Sequence, residues 1–497
     1  MNATSLLLTP SPGTLGLLED IADYVYRQAP RPTHEAAMVA AIALSAGIYG
    51  RAFNVSETGL NVWLLLLAPT GTGKDAIASG ISKLLRAVAH GGDMAQGSPE
   101  VFPAAKEFVS FSDMASGQAM HKHLAECAST LFVNGEAGIS FSQMNSPKAP
   151  QHIQNMKKLL LMSYSKSGAG ETLGGIKYSE REKDVPPIAS PALSIVAESV
   201  PETVFALLDE TQIADGFMPR WTIIDYPGDR PYLNEQRQSQ PPAGLVRKLA
   251  EHCELAHRIN QRGVPTVVGM TGDAARELRG FNDYCDSQIR GSGEVHRQLW
   301  NRAHLKAMKL AAIAAVAVDP HNPVVTFGQA RWAAMIENDS AQRMLRRYEA
   351  GEVGDQSKSD KAQQEHVRRV IREWVERPWS EMQRYKIADA DVHGKQVIPW
   401  SYISKRLTNV VAFKNARNGA TSAIRQAVKE LVSCGEIARV PPAELSKITN
   451  SHAEFFTLAE ETDAFGGEVK RRASEHRRAK QAITGIFPAG TPPGEEI

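Results

Sequence analysis

The segment Leu64-Leu65-Leu66-Leu67-Ala68-Pro69-Thr70-Gly71-Thr72-Gly73-Lys74-Asp75 holds the residues best suited to chemistry. An apolar run enters a glycine-rich turn, and the turn enters a helix beginning near Lys74. Phosphate binding needs that order. Glycines let successive amides point inward, the helix start adds its positive end, and a lysine reaches the β and γ phosphates. Thr70, Gly71, Thr72, Gly73, Lys74, Asp75 and Ala76 are therefore the candidate nucleotide-binding residues. Against the pattern G-x-x-x-x-G-K-[ST], Ala68 replaces the first glycine and Asp75 replaces the hydroxyl residue that normally meets magnesium. A carboxylate there can ligate Mg2+, but it also places negative charge beside a triphosphate. The cofactors implied are ATP and Mg2+.

Hydrolysis needs a carboxylate at the end of a neighbouring strand. Leu131-Phe132-Val133-Asn134-Gly135-Glu136 supplies one: Glu136 is placed to orient the attacking water as general base. The Asp that usually precedes it is missing, with Gly135 in its place. The metal-binding carboxylate would then have moved to Asp75. The competing reading is that Glu136 caps a loop. Downstream, Pro191 to Ser199 is an apolar strand ending in polar residues, where Ser199 or Glu198 could sense the γ phosphate. Asp215-Gly216-Phe217-Met218-Pro219-Arg220-Trp221 sets Arg220 at the start of the next strand. An arginine there can act as a finger on transition-state charge, in cis or on a neighbouring subunit, or can form an ordinary salt bridge.

The elements that must position these groups alternate. Strands are expected at Asn61 to Leu67, Glu107 to Phe111, Thr130 to Val133, Ala192 to Ala197 and Trp221 to Tyr226. Helices fall between them at Asp75 to Ala89, Ser116 to Ala128, Ile153 to Ser163 and Pro201 to Leu208. Such alternation argues for an α/β core with a mainly parallel sheet. Two helices precede it, Leu15 to Tyr26 and the Ala-rich His34 to Tyr49, the second capped by Thr33. Gly168 to Pro191 reads as a loop or hairpin. A Pro- and Gln-rich stretch, Pro227 to Pro242, ends the core. His296 to Val318 and Phe327 to Arg347 dominate a helical region after it. The expected division is an N-terminal helical segment 1–58, a P-loop core 59–230, a helical region 242–348, a linker 349–362, a winged-helix-like domain 363–460 and a basic, disordered tail 466–497.

With 497 residues, 42% hydrophobic and 22% charged, the chain is an ordinary globular protein of two or three domains. Lys and Arg number 56 against 55 Asp and Glu, so any nucleic-acid surface must be local. Cys127, Cys253, Cys285 and Cys434 form no C-x-x-C pair, which argues against zinc and disulfides and for reduced thiols in a cytoplasmic compartment. No targeting segment is visible, and the apolar runs fall short of the ~20 residues of a membrane span.

With these residues in hand, the chain resembles a family of phage, prophage and plasmid P-loop ATPases of the primase-helicase or replicative-helicase type with a RecA-like core. The resemblance runs from about Pro30 to Arg347 and rests on LLLLAPTGTGKD, LFVNGEAG, PALSIVAESVPETV and DGFMPRW. It implies a ring-forming motor, usually hexameric, that hydrolyses ATP on single-stranded DNA in company with other replication proteins. Lys74 would bind phosphate, Glu136 be the base, Ser199 a sensor and Arg220 the finger. A second reading is a nucleotide-gated initiator or helicase loader with weak ATPase activity, favoured by the altered metal-site residues. A small-molecule kinase would leave the helical region without a use.

The DNA contacts would come from the C-terminal part. Helices at Gln364 to Glu376, Pro399 to Leu407 and Asn418 to Ser433, then strands at Ile437 to Val440 and Glu454 to Leu458, fit a winged helix whose third helix reads DNA. Lys405, Arg406, Arg417, Arg425 and Lys429 are its candidate phosphate contacts; a solvated face or a protein-contact surface is the alternative. The run Lys470 to Lys480 holds six basic residues against one Glu, a nucleic-acid arm or a solubilising tail.

Overall fold

The computed structural model describes residues 11–91, 102–135 (except 113 and 115), 137–145, 149–177, 184–205, 215–349, 360–414, 419–441, 445, 448–449 and 453–458. Glu136, Arg417, residues 350–359 of the expected linker 349–362 and the basic tail lie outside them, while 349 and 360–362 of that linker belong to helices. Two compact units result, 1–346 and 347–497. The N-terminal helices, the sheet and the helical region all belong to the first.

The first unit is a mixed α/β fold. Helices α1 (Leu17–Gln28) and α2 (His34–Tyr49) come first. Thr33 caps α2, its hydroxyl accepting from the Ala36 amide at 3.3 Å, as the sequence led us to expect. The Ala-rich composition of α2 has a packing reason. The helix is buried on nearly every side, and a Cβ on Gly47 would stand 2.8 Å from the Leu131 side chain and the Phe108 carbonyl.

Five parallel strands follow: β1 (Trp63–Leu67), β2 (Val109–Ser110), β3 (Ser129–Asn134), β4 (Ala192–Ser199) and β5 (Trp221–Asp225). Their order across the sheet is β2-β3-β4-β1-β5, with every pairing parallel. β1 is an interior strand, flanked by β4 and β5, and wholly buried, which is why it reads as an unbroken apolar run rather than an alternating one. Helices α3 (Ala76–His90), α4 (Gly117–Glu126), α5 (Ala137–Asn145) and α6 (Gln151–Tyr164) make the crossovers among these strands. Between α6 and β4, residues 172–173 and 188–189 pair antiparallel, so the projecting segment is a hairpin.

Helices α7 (Ala243–Arg262), α8 (Gly272–Ile289), α9 (Glu294–Asn301), α10 (Ala303–Val318) and α11 (Phe327–Glu349) complete this unit. The expected helix from His296 is broken at Arg302, whose φ of −111° and ψ of −3° fall between α9 and α10. Lys306 of α10 and Glu337 of α11 form a fully buried ion pair at 2.8 Å. Lys306 also donates to the Trp221 carbonyl at 2.8 Å, and Thr222 to Glu337. These bonds tie the helical region to the start of β5, and together they satisfy charges that burial would otherwise penalise.

The second unit contains α12 (Asp360–Glu376), β6 (Ile398–Pro399), α13 (Trp400–Leu407), α14 (Ala420–Ser433), β7 (Ile437–Arg439) and β8 (Phe455–Leu458). The strands form an antiparallel sheet in the order β6-β8-β7. Its core joins Trp374, Tyr402, Ile403, Ile424, Leu431 and Phe455.

Two buried histidines make stability depend on acid. Burial, helped by the charges of His321 and Lys248 against Asp319, holds His252 near a pKa of about 4, where it shares a 2.7 Å hydrogen bond with Tyr49. Burial and Arg369 do the same to His366, also to about 4. The unfolded imidazoles take up protons through their ordinary 6.5 while the folded ones stay neutral. Stability therefore rises with pH between about 4 and 6.5 and is lost as pH falls through that window, by up to about 3 kcal/mol per histidine. Urea midpoints measured from pH 7 to pH 4.5 should drop for both units, and His252→Asn should flatten the curve of the first.

Candidate nucleotide site

The phosphate loop follows β1 at the carboxyl edge of the sheet. Register pairs Leu67 with Ser199 of β4 and with Asp225 of β5, so the loop emerges between two strand ends. The Ala68 amide donates to the Ser199 carbonyl at 3.1 Å and the Tyr226 amide to the Leu67 carbonyl at 2.8 Å. Ala68 is buried in this frame, which explains why a small side chain serves where the motif has glycine.

Gly71 and Gly73 carry φ of 77° and 84°, conformations that glycine adopts without the penalty other residues meet. Gly73 has a second reason: a Cβ there would stand 2.1 Å from the Arg31 carbonyl oxygen. Thr72 is buried and its hydroxyl donates to the Pro69 carbonyl at 2.7 Å, closing the loop on itself. Thr70 is exposed. The Lys74 ammonium donates to the carbonyls of Ala68 at 2.8 Å and Pro69 at 3.2 Å. Asp75 is the exposed N-cap residue of α3 and makes no capping bond with its side chain. Ala76 opens the helix, its amide bonded to the Gly73 carbonyl at 3.1 Å.

Among the described residues, the amides of 71–75 donate to no backbone acceptor, and no carboxylate ion-pairs with Lys74. Unengaged amides at a helix start, beside an ammonium that no carboxylate neutralises, are what a phosphate chain satisfies.

Ser199 ends β4 beside the loop, largely buried, its hydroxyl 2.9 Å from where a Cβ on Gly138 would lie. It thus faces the start of α5, which follows the Glu136 position. Glu136 itself falls outside the described residues; its neighbour Gly135 is exposed beyond the end of β3, near the Glu198 carboxylate. β4 separates β3 from β1. Two strand spacings place the two strand ends ~10 Å apart, room for a γ phosphate and a water.

Arg220 does not join this group. Register pairs Trp221 with Trp63, so Arg220 precedes β5 at the amino edge of the sheet, about 15 Å of strand away from the loop. It is 8% exposed and donates to the carbonyls of Gly216 and Leu161. Its guanidinium lies 5.5 Å from the Tyr164 ring centre. Burial, with Arg302 adding to it, lowers its pKa to about 10. A cation held this way serves packing, and the cis finger is set aside.

Two arginines that pattern reading passed over stand at the loop instead. Arg230 Nε donates to the Gly71 carbonyl at 3.2 Å. Arg31 Nη1 donates to the Pro231 carbonyl at 2.5 Å, while its own carbonyl packs on Gly73. Each precedes a proline in an irregular segment, Pro30-Arg31-Pro32 and Asp229-Arg230-Pro231. That pairing of a cation with a stiff turn was the available signal.

A cavity of about 370 Å3 lined by Arg51, Glu107, Cys127 and His257 lies beside the start of β3, at the edge away from the loop.

In the second unit Lys405 and Lys429 are exposed. Lys405 donates to the Tyr385 carbonyl at 3.3 Å. Arg425 is exposed but engaged, 4.5 Å above Trp400 and 3.0 Å from Glu454. Arg406 is partly buried and ion-paired with Glu373 at 2.5 Å. Its charge joins α13 to α12 and is withdrawn from the expected phosphate contacts.

No family model matches the chain, and no curated protein does. Among solved structures it is similar to a full-length MCM homolog from Methanopyrus kandleri, at 14% identity and a TM-score of 0.33. The match covers 67% of this chain and 62% of that one, so the chain spans less than two thirds of that protein's length. A likeness of that strength decides neither fold nor activity. No helix among the described residues is long and apolar enough to cross a membrane.

Proposed function

We propose that this protein is an ATP-dependent DNA motor of the replicative-helicase type, akin to the phage and plasmid ATPases it resembles. One observation carries the reading: a strand–loop–helix with unengaged amides and an ammonium free of carboxylates, on a parallel sheet in which β3, the strand that precedes Glu136 in sequence, is two places away. The amides of 71–75 and Lys74 would hold the β and γ phosphates. Asp75, exposed and uncapped, fits Mg2+, which when bound supplies charge neutralisation to the same phosphates. Glu136 would orient water, and Ser199 would report the γ phosphate to β4.

Helices α12, α13 and α14 with the antiparallel three-stranded sheet support a winged helix, with Lys405, Arg425 and Lys429 facing DNA. Assembly as a ring, a hexamer in this reading, would bring a partner's cation to the site that Arg220 does not reach in cis. The carboxylate at Asp75 and the glycine at Gly135 favour a slower relative of the motor, a nucleotide-gated initiator or loader.

Glu136→Gln separates binding from chemistry. Its turnover should fall by about 100-fold or more while ATP affinity, read by calorimetry, stays close to wild type. Undiminished turnover would remove Glu136 from the mechanism.

A further inference from the structure

The Pro- and Gln-rich stretch after β5, which composition marks as the end of the α/β core, is strapped against the phosphate loop and the α1–α2 connection. At its start Tyr226 folds over its own turn: its hydroxyl donates to the Asp229 carbonyl at 2.7 Å, and its ring occupies the space a Cβ on Gly228 would need. Beyond the turn, Arg31 holds the Pro231 carbonyl. The Asn234 amide donates to the Pro30 carbonyl at 2.8 Å, its side chain to the Arg27 carbonyl at 2.9 Å, and the Gln238 amide to the Arg27 carbonyl at 3.1 Å. The backbone on both sides of Arg230 is therefore fixed.

The side chain of Arg230 is exposed, and its one hydrogen bond among the described residues is from Nε to Gly71. No carboxylate among the described residues ion-pairs with it. The nearest atoms to an added Cβ on Gly71 are those of this guanidinium, from 3.5 Å. A second uncompensated cation thus stands over the same loop as Lys74. An arginine anchored through Nε keeps its two Nη groups in a planar fork, the geometry that matches phosphate oxygens.

We infer that Arg230 is a phosphate-binding residue of the nucleotide site, supplied in cis by the strap and aimed by Arg31. This rests on the reading of the loop as an ATP site and adds to it a residue the loop motif does not contain. Anchored at Gly71, the fork binds the phosphate chain from the solvent side while the amides and Lys74 bind it from the protein side. Arg31 is a positioning residue, acting on Arg230 through Pro231.

The test is ATP affinity by calorimetry on the full chain for wild type, Lys74→Ala, Arg230→Ala and Arg230→Lys, with thermal midpoints recorded alongside. Arg230→Ala should weaken ATP by about tenfold with an unchanged midpoint. Arg230→Lys should recover part of that loss, since it keeps the charge and gives up the fork. An Arg230→Ala protein that binds ATP as tightly as wild type, or more tightly, overturns the inference: the arginine would then be a latch on Gly71. If that happens while Lys74→Ala still abolishes binding, the nucleotide site stands and only Arg230 is withdrawn. A wild type that binds no ATP overturns both.

Discussion

Lys74→Ala lowers ATP affinity by roughly 100-fold or more, and leaves the fold intact. The ammonium's present partners are the carbonyls of Ala68, in a part-buried contact, and of Pro69, at the exposed rim of the loop. Water replaces it there at little cost, so the thermal midpoint should move by no more than a degree or two. Its value lies in the bound state. Two charge-assisted hydrogen bonds to a phosphate, each worth about 1.5–3 kcal/mol, correspond to at least two decades in affinity. Calorimetric titration of the variant with ATP gives the number directly. An affinity within threefold of wild type would mean that phosphate does not sit on this loop.

The second large effect separates the two glycines of the loop. Gly73→Ala should abolish ATP binding and lower the thermal midpoint of the first unit by several degrees. Its φ of 84° alone costs a Cβ-bearing residue about 1–2 kcal/mol. The added methyl would also lie 2.1 Å from the Arg31 carbonyl oxygen, so either the loop or the Pro30-Arg31-Pro32 segment must give way. Gly71 has a similar φ of 77°, yet only the movable Arg230 side chain stands near it. Gly71→Ala should therefore be folded and should retain measurable binding. Thermal melts and titrations on the pair check the ranking; equal behaviour would show that the close approach of Arg31 has no consequence.

The glycine–lysine loop was legible because phosphate binding constrains residue type and order within eight positions of chain. Four of the five strands were legible for a related reason, since buried parallel strands read as continuous apolar runs; of the expected Glu107 to Phe111, only Val109 and Ser110 are strand, and Glu107 and Phe108 end a 3-10 helix. What the pattern lacked was register. Arg220 looked like a site residue because it abuts a strand, although in an all-parallel sheet a residue before one strand faces away from a loop that follows another. The break at Arg302 has no glycine or proline beside it to announce it. Arg230 and Arg31 reach the loop region through hydrogen bonds between segments far apart in the chain, 159 and 200 positions, a tertiary fact that composition recorded only as a proline-rich end to the core. In the second unit the three helices were visible from periodicity, but the partnership of Arg406 with Glu373 was not, because α12 and α13 meet only in the fold.

The central claim is that nucleotide turnover at this loop is coupled to DNA. Steady-state ATP hydrolysis by the full chain, measured with and without single-stranded DNA, tests it most directly. The account predicts Mg2+-dependent turnover that rises when single-stranded DNA is added. ATP bound tightly with hydrolysis at background in both conditions would contradict the motor.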